Sequence, residues 1–286
     1  MNFSIENACA MAPADLHPGA IAGACSTSAG ASVAIEVVLQ TGSTNADLLA
    51  RVESLAVPTL LVAQRQSAGR GRAGRTWQSD DASLTFSLAW PFDLPLACLV
   101  GLPLAVGVAV AEVLAARNVP VQLKWPNDIL LDGAKLAGIL IETAASKRVP
   151  GRVWTVIGIG INLMAPGVAA AMPVGSAALP ATERNVLMAQ LLDALAPTLS
   201  AFAQTGFAPW ASRWNALHAH AGQAVDIIDR GQVRQSGTAL GVDASGQLLL
   251  QGAGATVAVL AGDVSLRPAV ARHTDSGREG DDAADH

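Results

Sequence analysis

Residues Gly69-Arg-Gly-Arg-Ala-Gly-Arg75 interleave three glycines with three arginines, in a chain of which only 14% is charged. Backbone N–H groups and guanidinium forks in such a segment suit the wrapping of an anion. Three glycines in seven residues make ordering costly, so the loop is expected to stay loose until a ligand arrives. Two phosphate motifs almost fit. Gly69, Gly71 and Gly74 spell the dinucleotide fingerprint, and Gly69 to Thr76 spell a phosphate loop with arginine in place of lysine. Each requires a helix directly after the glycines, whose N-terminus receives the phosphate. Here Trp77 and then Leu84-Thr-Phe-Ser-Leu-Ala-Trp90 follow, and the period of two reads as a strand. Strand–loop–strand excludes both motifs. Three readings stay open: a strap for a ligand anion, a solvated basic loop, or an Arg-Gly-Arg hook for a DNA minor groove.

Four further segments carry groups of chemical use. Ser43-Thr44-Asn45 offers hydroxyls and an amide at a helix start, Lys124-Trp-Pro-Asn-Asp128 joins a cation, an aromatic ring and a carboxylate, Lys135-Leu-Ala-Gly-Ile-Leu-Ile-Glu142 starts an apolar strand with lysine, and Gly158-Ile-Gly-Ile-Asn162 ends a strand with an amide. Each also has a structural reading: a helix cap, ordinary turn chemistry, a strand start at the surface, sheet packing. Their occurrence together, in this order, favours a site.

The elements that must position these groups follow from periodicity. A strand is expected from Ala34, a helix from Thr44 to about Glu53 with Thr44 and Asp47 as its capping pair, and strands over 58–66 and 84–90. Leu94 to Ala111 runs without a charge, which meets the length for a membrane span. Its Ala, Gly and Val content, Pro95 and Pro103, and the lack of a flanking basic cluster favour a buried helix over about 99–117. Strands over 122–125, 129–131 and 135–143 with an Asp132-Gly133 turn read as hairpins, 153–163 as a strand, and 182–204 and 207–218 as helices. From Gln223 the texture changes to short β segments parted by glycine turns, a small barrel-like β domain.

With 286 residues, 51% hydrophobic, the chain can bury one large core and a small second one. Residues 275–286 hold five acids against Arg278 and so carry most of the net charge of −5. The nearly neutral body gives little support to non-specific binding of DNA or anionic membrane. Cys9, Cys25 and Cys98 are too few and scattered for a disulfide framework or zinc site, which implies a reduced cytoplasmic setting. His218 and His220 point to different sides of a helix, which argues for a loop or helix end over a metal site. No signal peptide is expected.

The order of the five segments resembles the biotin protein ligases, over about residues 34–268. The matching stretches are Ser43-Thr-Asn, Gln66 to Trp77, Lys124-Trp-Pro-Asn-Asp, Lys135 to Glu142, Gly158-Ile-Gly-Ile-Asn and the β tail ending Gly262-Asp-Val-Ser-Leu-Arg267. The resemblance implies an α+β fold, a mixed-sheet catalytic domain of the biotin/lipoate ligase type followed by a small SH3-like β-barrel. The corresponding division is a flexible leader at 1–33, a catalytic domain at 34–220, a C-terminal domain at 221–268 and a disordered acidic tail at 269–286. Some family members carry an N-terminal DNA-binding domain; the residues ahead of the first strand are too few to build one, so a ligase-only member is expected.

The implied reaction makes biotinyl-5′-AMP from biotin and ATP with Mg²⁺, then transfers biotin to a lysine of a biotin carboxyl carrier protein. By resemblance, Arg72 and Lys135 contact the carboxylate and α-phosphate and Gly71 lends backbone donors. Ser43, Thr44, Asn45, Gln66, Arg70 and Gly138 complete the biotin contacts, and Arg75 and Asn162 join the nucleotide side. Asp128 either orients or deprotonates the acceptor lysine or helps hold Mg²⁺. Trp77 or Trp125 shields the site or packs the core, and Arg267 either reaches the catalytic domain or is a plain surface residue. No DNA and no membrane partner is expected, and a homodimer is left open. The alternatives are a lipoate or octanoate ligase or transferase on the same scaffold, and a non-enzymatic DNA-binding protein.

Overall fold

The computed structural model describes residues 16–79, 82–164, 175–177, 179, 183–252, 254–261 and 264–269. Seven strands form the main sheet: β1 (Ala34–Thr41), β2 (Thr59–Gln66), β3 (Ser83–Phe92), β4 (Gln122–Lys124), β5 (Asp128–Leu131), β6 (Ala134–Ala145) and β7 (Val153–Asn162). Their order is β1-β2-β3-β7-β6-β5-β4. Only β1 and β2 run parallel, which makes the sheet mixed as expected. A parallel pair needs a crossover. It is supplied by α3 (Thr44–Arg51), while β4, β5, β6 and β7 follow one another as a meander. The Asp132-Gly133 turn between β5 and β6 has both residues left-handed (φ 50° and 77°), as a two-residue hairpin requires.

Strand alternation sends successive side chains to opposite faces. Leu60 and Val62, Leu84, Phe86 and Leu88, and Ile157, Ile159 and Ile161 all enter the main core. Against that face pack α4 (Leu102–Ala115) and α5 (Arg184–Thr205). The uncharged run is thus a buried helix as expected; the stretch Leu96–Ala115 that ends in α4, and α5, are each long and apolar enough to span a bilayer, yet both are built into this core. On the opposite face Leu48 and Val52 of the α3 segment meet Leu61, Ala89, Trp154 and Val156 in a small second cluster. Thr85, Ser87, Gly158 and Gly160 lie on this second face too, by their register.

The C-terminal domain is a five-stranded antiparallel sheet, β8 (Ala224–Asp229), β9 (Gln232–Val242), β10 (Leu248–Gln251), β11 (Thr256–Val259) and β12 (Val264–Pro268), in the order β11-β10-β9-β8-β12. Its interior is continuous with the main core. Val225, Ile227, Ala239, Val242, Leu248, Leu250 and Leu266 belong to the main cluster. Polar ties reinforce the junction: the Trp125 indole donates to the Gly246 carbonyl (3.2 Å), and the Asn215 amide bridges the backbone N–H (2.7 Å) and carbonyl (3.0 Å) of Val242. Trp125 is therefore a packing residue that clamps the two domains.

Three expectations need correction. Residues 16–33 are not a flexible leader, since α1 (Pro18–Ala24) and α2 (Ser28–Ala31) pack near α5, where Asp193 accepts from the backbone and side chains of Ser26 and Thr27. The hydrogen-bonding Ser and Thr, invisible to a periodicity search, hold this segment. Ser43, not Thr44 with Asp47, is the N-cap of α3, accepting from Ala46 N–H; Thr44 turns inward and Asp47 accepts from Thr41. The helix expected over 207–218 is a short 3₁₀ turn followed by α6 (Ala211–Ala216). Residues 1–15, the expected helix start at 182, Gly262-Asp263 and the tail beyond 269 lie outside the described residues.

His218 and His220 are buried between β4 and the C-terminal domain, where Leu123 of β4 bridges to His218 and the Trp214 ring lies 4.8 Å from that of His218. Burial, with His220 beside it, pushes the His218 pKa down from 6.5 to about 4; burial and Lys124 lower that of His220. Between those pH values the unfolded chain binds more protons than the folded one, so stability falls as pH drops below 6.5. The His218 contribution is on the order of 3 kcal/mol. Melting temperature measured from pH 7 to pH 4 should fall steeply in the wild type and less in His218→Phe, which keeps a ring against Trp214. Parallel curves for the two proteins would exclude the junction histidine as the cause.

Candidate active site

Alternation along β3, β7 and β6 empties one patch of the sheet of bulky side chains, and the site occupies that patch. Register sets Gly138 beside Gly160, and Gly158 beside Ser87. Each glycine leaves room for one functional residue. A Cβ at Gly158 would collide with the Asn45 amide, one at Gly160 with the Trp77 indole, and one at Gly138 would crowd Lys135 Nζ at 3.1 Å.

The first cavity, about 60 Å³, is lined among others by Ser43, Thr44, Asn45, Gln66, Arg70, Gly71, Arg72, Trp77, Lys135 and Gly138. Its polar wall is tied together. Gln66 Oε1 accepts from the Thr44 N–H (2.7 Å), the Ser87 hydroxyl donates to Asn45 Oδ1 (2.5 Å), and Asn45 Nδ2 donates to Glu142 (2.9 Å). Glu142 also accepts from Arg70 at 2.8 Å, which anchors the arginine loop to β6. Ser87, Thr85, Asn127 and Glu142 were absent from the sequence-derived site. Thr85 and Ser87 had a signal, as polar residues at alternate positions of an apolar strand; Glu142 had only its place at the end of a motif.

The loop carries its own hydrogen bonds in this structure. Gly71 N–H donates to the Arg75 carbonyl (2.7 Å), Trp77 N–H to the Gly69 carbonyl (2.9 Å), and Arg70 bridges to Thr76. These bonds, with Arg70–Glu142 and the Arg72 donation to Asn127 Oδ1 (2.9 Å), offset the entropy of the glycines. Arg70 and Arg72 thus face into the sheet patch, which is not the presentation of a minor-groove hook.

A second cavity of about 120 Å³ adjoins the first and shares Gly71, Arg72, Trp77, Asn127 and Lys135 with it. Arg75, Lys124, Asp128 and Arg267 enter here. Arg267 of β12 therefore reaches the catalytic domain. Asp128 Oδ1 lies 2.5 Å from Lys135 Nζ, and its Oδ2 lies 3.6 Å from Lys124 Nζ. Burial lowers the Lys124 pKa, with Lys135 and Arg267 adding to the effect and Asp128 opposing it. Lys135 also stands 5.9 Å from the centre of the Trp77 ring, so that Trp77 and Lys135 partition the two cavities. Asn162 lines neither; its amide donates to the Lys135 carbonyl (3.4 Å), which makes it a support for the strand that carries Lys135.

The arrangement offers a narrow polar slot opening into a cationic chamber, a geometry for bringing one anion against another. Comparison with known proteins agrees in class. The model of the Biotin/lipoate A/B protein ligase family matches residues 36–162, and that of the biotin protein ligase C-terminal domain matches 220–267. The bifunctional ligase/repressor BirA of Escherichia coli is 37% identical over 248 residues, 84% of this chain and 75% of that one. The biotin–[acetyl-CoA-carboxylase] ligase of Mycobacterium tuberculosis is 36% identical over 244 residues, 80% of this chain and 88% of that one. Among solved structures, the Aquifex aeolicus biotin protein ligase in complex with biotin and ATP superposes with a TM-score of 0.70 at 26% identity, covering 82% of this chain and 99% of that one. The chain belongs to the biotin protein ligase family.

The glycine patch is testable. Gly160→Ala should force the Trp77 indole out of place and cost about 1–3 kcal/mol in denaturant unfolding. Gly23→Ala, on α1 with open space around its Cα, should cost nothing. Equal stabilities for the two variants would contradict the packing described.

Proposed function

We propose that this protein is an ATP-dependent ligase that activates biotin as biotinyl-5′-AMP and transfers it to a lysine of the biotin carboxyl carrier protein of an acetyl-CoA carboxylase. The observation that carries this reading is the junction of a polar slot and a cationic chamber at Arg72 and Lys135. In the first step a biotin carboxylate oxygen bonds to the α-phosphorus of ATP, and the bond to the β-phosphate breaks to release pyrophosphate. The carboxylate needs no base. It needs relief from repulsion, which cations in a site shielded from water provide. Arg72 and Lys135 are assigned to the carboxylate and α-phosphate, Gly71 to backbone donation, and Arg75 to the outer phosphates. Ser43, Thr44, Asn45, Gln66, Arg70 and Gly138 are assigned to biotin. Asn162 is not proposed as an adenine contact, because it faces neither cavity.

In the second step the acceptor amine attacks the acyl carbon, AMP leaves, and the ammonium proton must be taken up. Asp128, facing the chamber, is assigned to orient that amine and accept its proton. The alternative assignment is that Asp128 helps hold a magnesium ion, since an ion that arrives with a nucleotide takes only one or two carboxylates beside the phosphates. Magnesium is proposed to enter with the nucleotide. Dependence on free ATP and a carboxylase carrier would place the reaction in the cytoplasm.

Biotin-dependent ATP–pyrophosphate exchange tests the first step directly. Arg72→Ala and Lys135→Ala should each lower it by about 10²–10³-fold with circular dichroism unchanged. Wild-type exchange in either variant would refute the assignment. Biotin with MgATP should also slow protease cleavage within the 66–77 loop; equal cleavage rates would argue that the loop does not close on ligand.

A further inference from the structure

The groove does not end at the second cavity. A wider cleft of about 650 Å³ opens beyond it, with Arg75 of the arginine loop on one side and Arg230, Gly231 and Arg267 of the C-terminal domain on the other. Arg75 and Arg267 also line the second cavity, so the cleft is continuous with the reaction chamber; Arg230 lines the cleft alone. Arg230 and Gly231 form the tight turn between β8 and β9, both left-handed (φ 48° and 82°), which fixes the position of the turn at the rim.

Charge is arranged unusually here. Arg51, Arg70, Arg117, Arg152, Arg213 and Arg234 each hold a carboxylate. The acid next to Arg230 in sequence, Asp229, is taken by Arg234 at 3.2 Å. Arg75, Arg230 and Arg267, all exposed, have no acidic partner among the described residues. Three unmatched guanidinium groups therefore ring one opening, whereas six other arginines among the described residues are paired with acids; Arg148, also exposed and without an acid, does not line the cleft. On the assignment above, the α-phosphate is held at Arg72 and Lys135 and the outer phosphates reach no farther than Arg75, whereas Arg230 is set outside the chamber. An acceptor lysine, in contrast, must insert its side chain from this opening, so the protein surface around that lysine comes to rest on the rim.

We propose that Arg230, with Arg267 and with Arg75 once pyrophosphate has left, forms a docking rim for an acidic surface flanking the acceptor lysine of the carrier protein. The proposal rests on the ligase reading above and adds the chemistry of the partner's face. Cations at a rim act mainly on encounter and partner choice, through forces that salt screens.

The test uses the full chain, with the unbiotinylated carrier domain of an acetyl-CoA carboxylase as acceptor, and reads the two half-reactions separately. Arg230→Glu should leave biotin-dependent ATP–pyrophosphate exchange within twofold of wild type. It should raise the KM for the carrier on the order of tenfold at low salt with kcat retained. Added salt should raise the wild-type KM and narrow the gap, and Arg230→Lys should restore most of the loss. Two results would overturn the proposal: an unchanged carrier KM in Arg230→Glu, or a parallel loss of pyrophosphate exchange, which would make the cleft a phosphate site. A wild-type protein that forms no adenylate at all would instead refute the ligase reading, and the docking rim with it.

Discussion

The site depends on a sheet face cleared of side chains. Gly138, Gly158 and Gly160 stand on adjacent strands, with Ser87 and Thr85 next to them, and together they form a shallow floor of backbone and small hydroxyls. Everything placed on that floor is there because nothing else fills it: the start of α3 brings Asn45 down onto Gly158, and the arginine loop lays Trp77 across Gly160. The same strands present Ile157, Ile159 and Ile161, or Leu84, Phe86 and Leu88, to the other side. One alternating pattern thus builds the core and the active site from opposite faces of the same residues' neighbours.

Much of this was legible before any coordinates. Gly158-Ile-Gly-Ile is a strand with one face apolar and one face bare, and Thr85-Phe-Ser87 is its counterpart on the adjoining strand. The fold class, the central strands and the buried helix at α4 follow from period and turn chemistry. Contacts between distant residues were not legible. That Glu142 would hold Arg70, or that Asn45 would sit on Gly158, requires knowing which strands adjoin. The restraints on the arginine loop were hidden for the same reason. Its glycines are local and visible, while the bonds that restrain it go to β6 and Asn127. Asn162 erred in the opposite direction: placed at a motif's end, it supports the backbone of Lys135 from outside the cavities.

The two domains are chemically distinct in sequence yet continuous in packing. Trp125, inside the Lys-Trp-Pro-Asn-Asp segment, is fully buried and bonds to Gly246 of the smaller domain, while Lys124 and Asp128 on either side of it face the chamber. A single five-residue stretch therefore fixes the attitude of the β domain and aims two charged groups. Arg267 arrives at the chamber from that same domain. Loss of the β domain would remove one wall of the chamber and expose the ring that anchors another.

Asp128 has a position between two ammonium groups, at 2.5 Å from one and 3.6 Å from the other. A lone carboxylate in a partly desolvated chamber is costly, and so is a lone lysine. With two neighbours, Asp128 can, on the proposed assignment of Lys135 to the α-phosphate, release Lys135 and remain compensated by Lys124. The handover moves a cation toward the substrate without stranding an anion behind it. The resting chamber in this way stores its working charge in a form that can be drawn out one ammonium at a time.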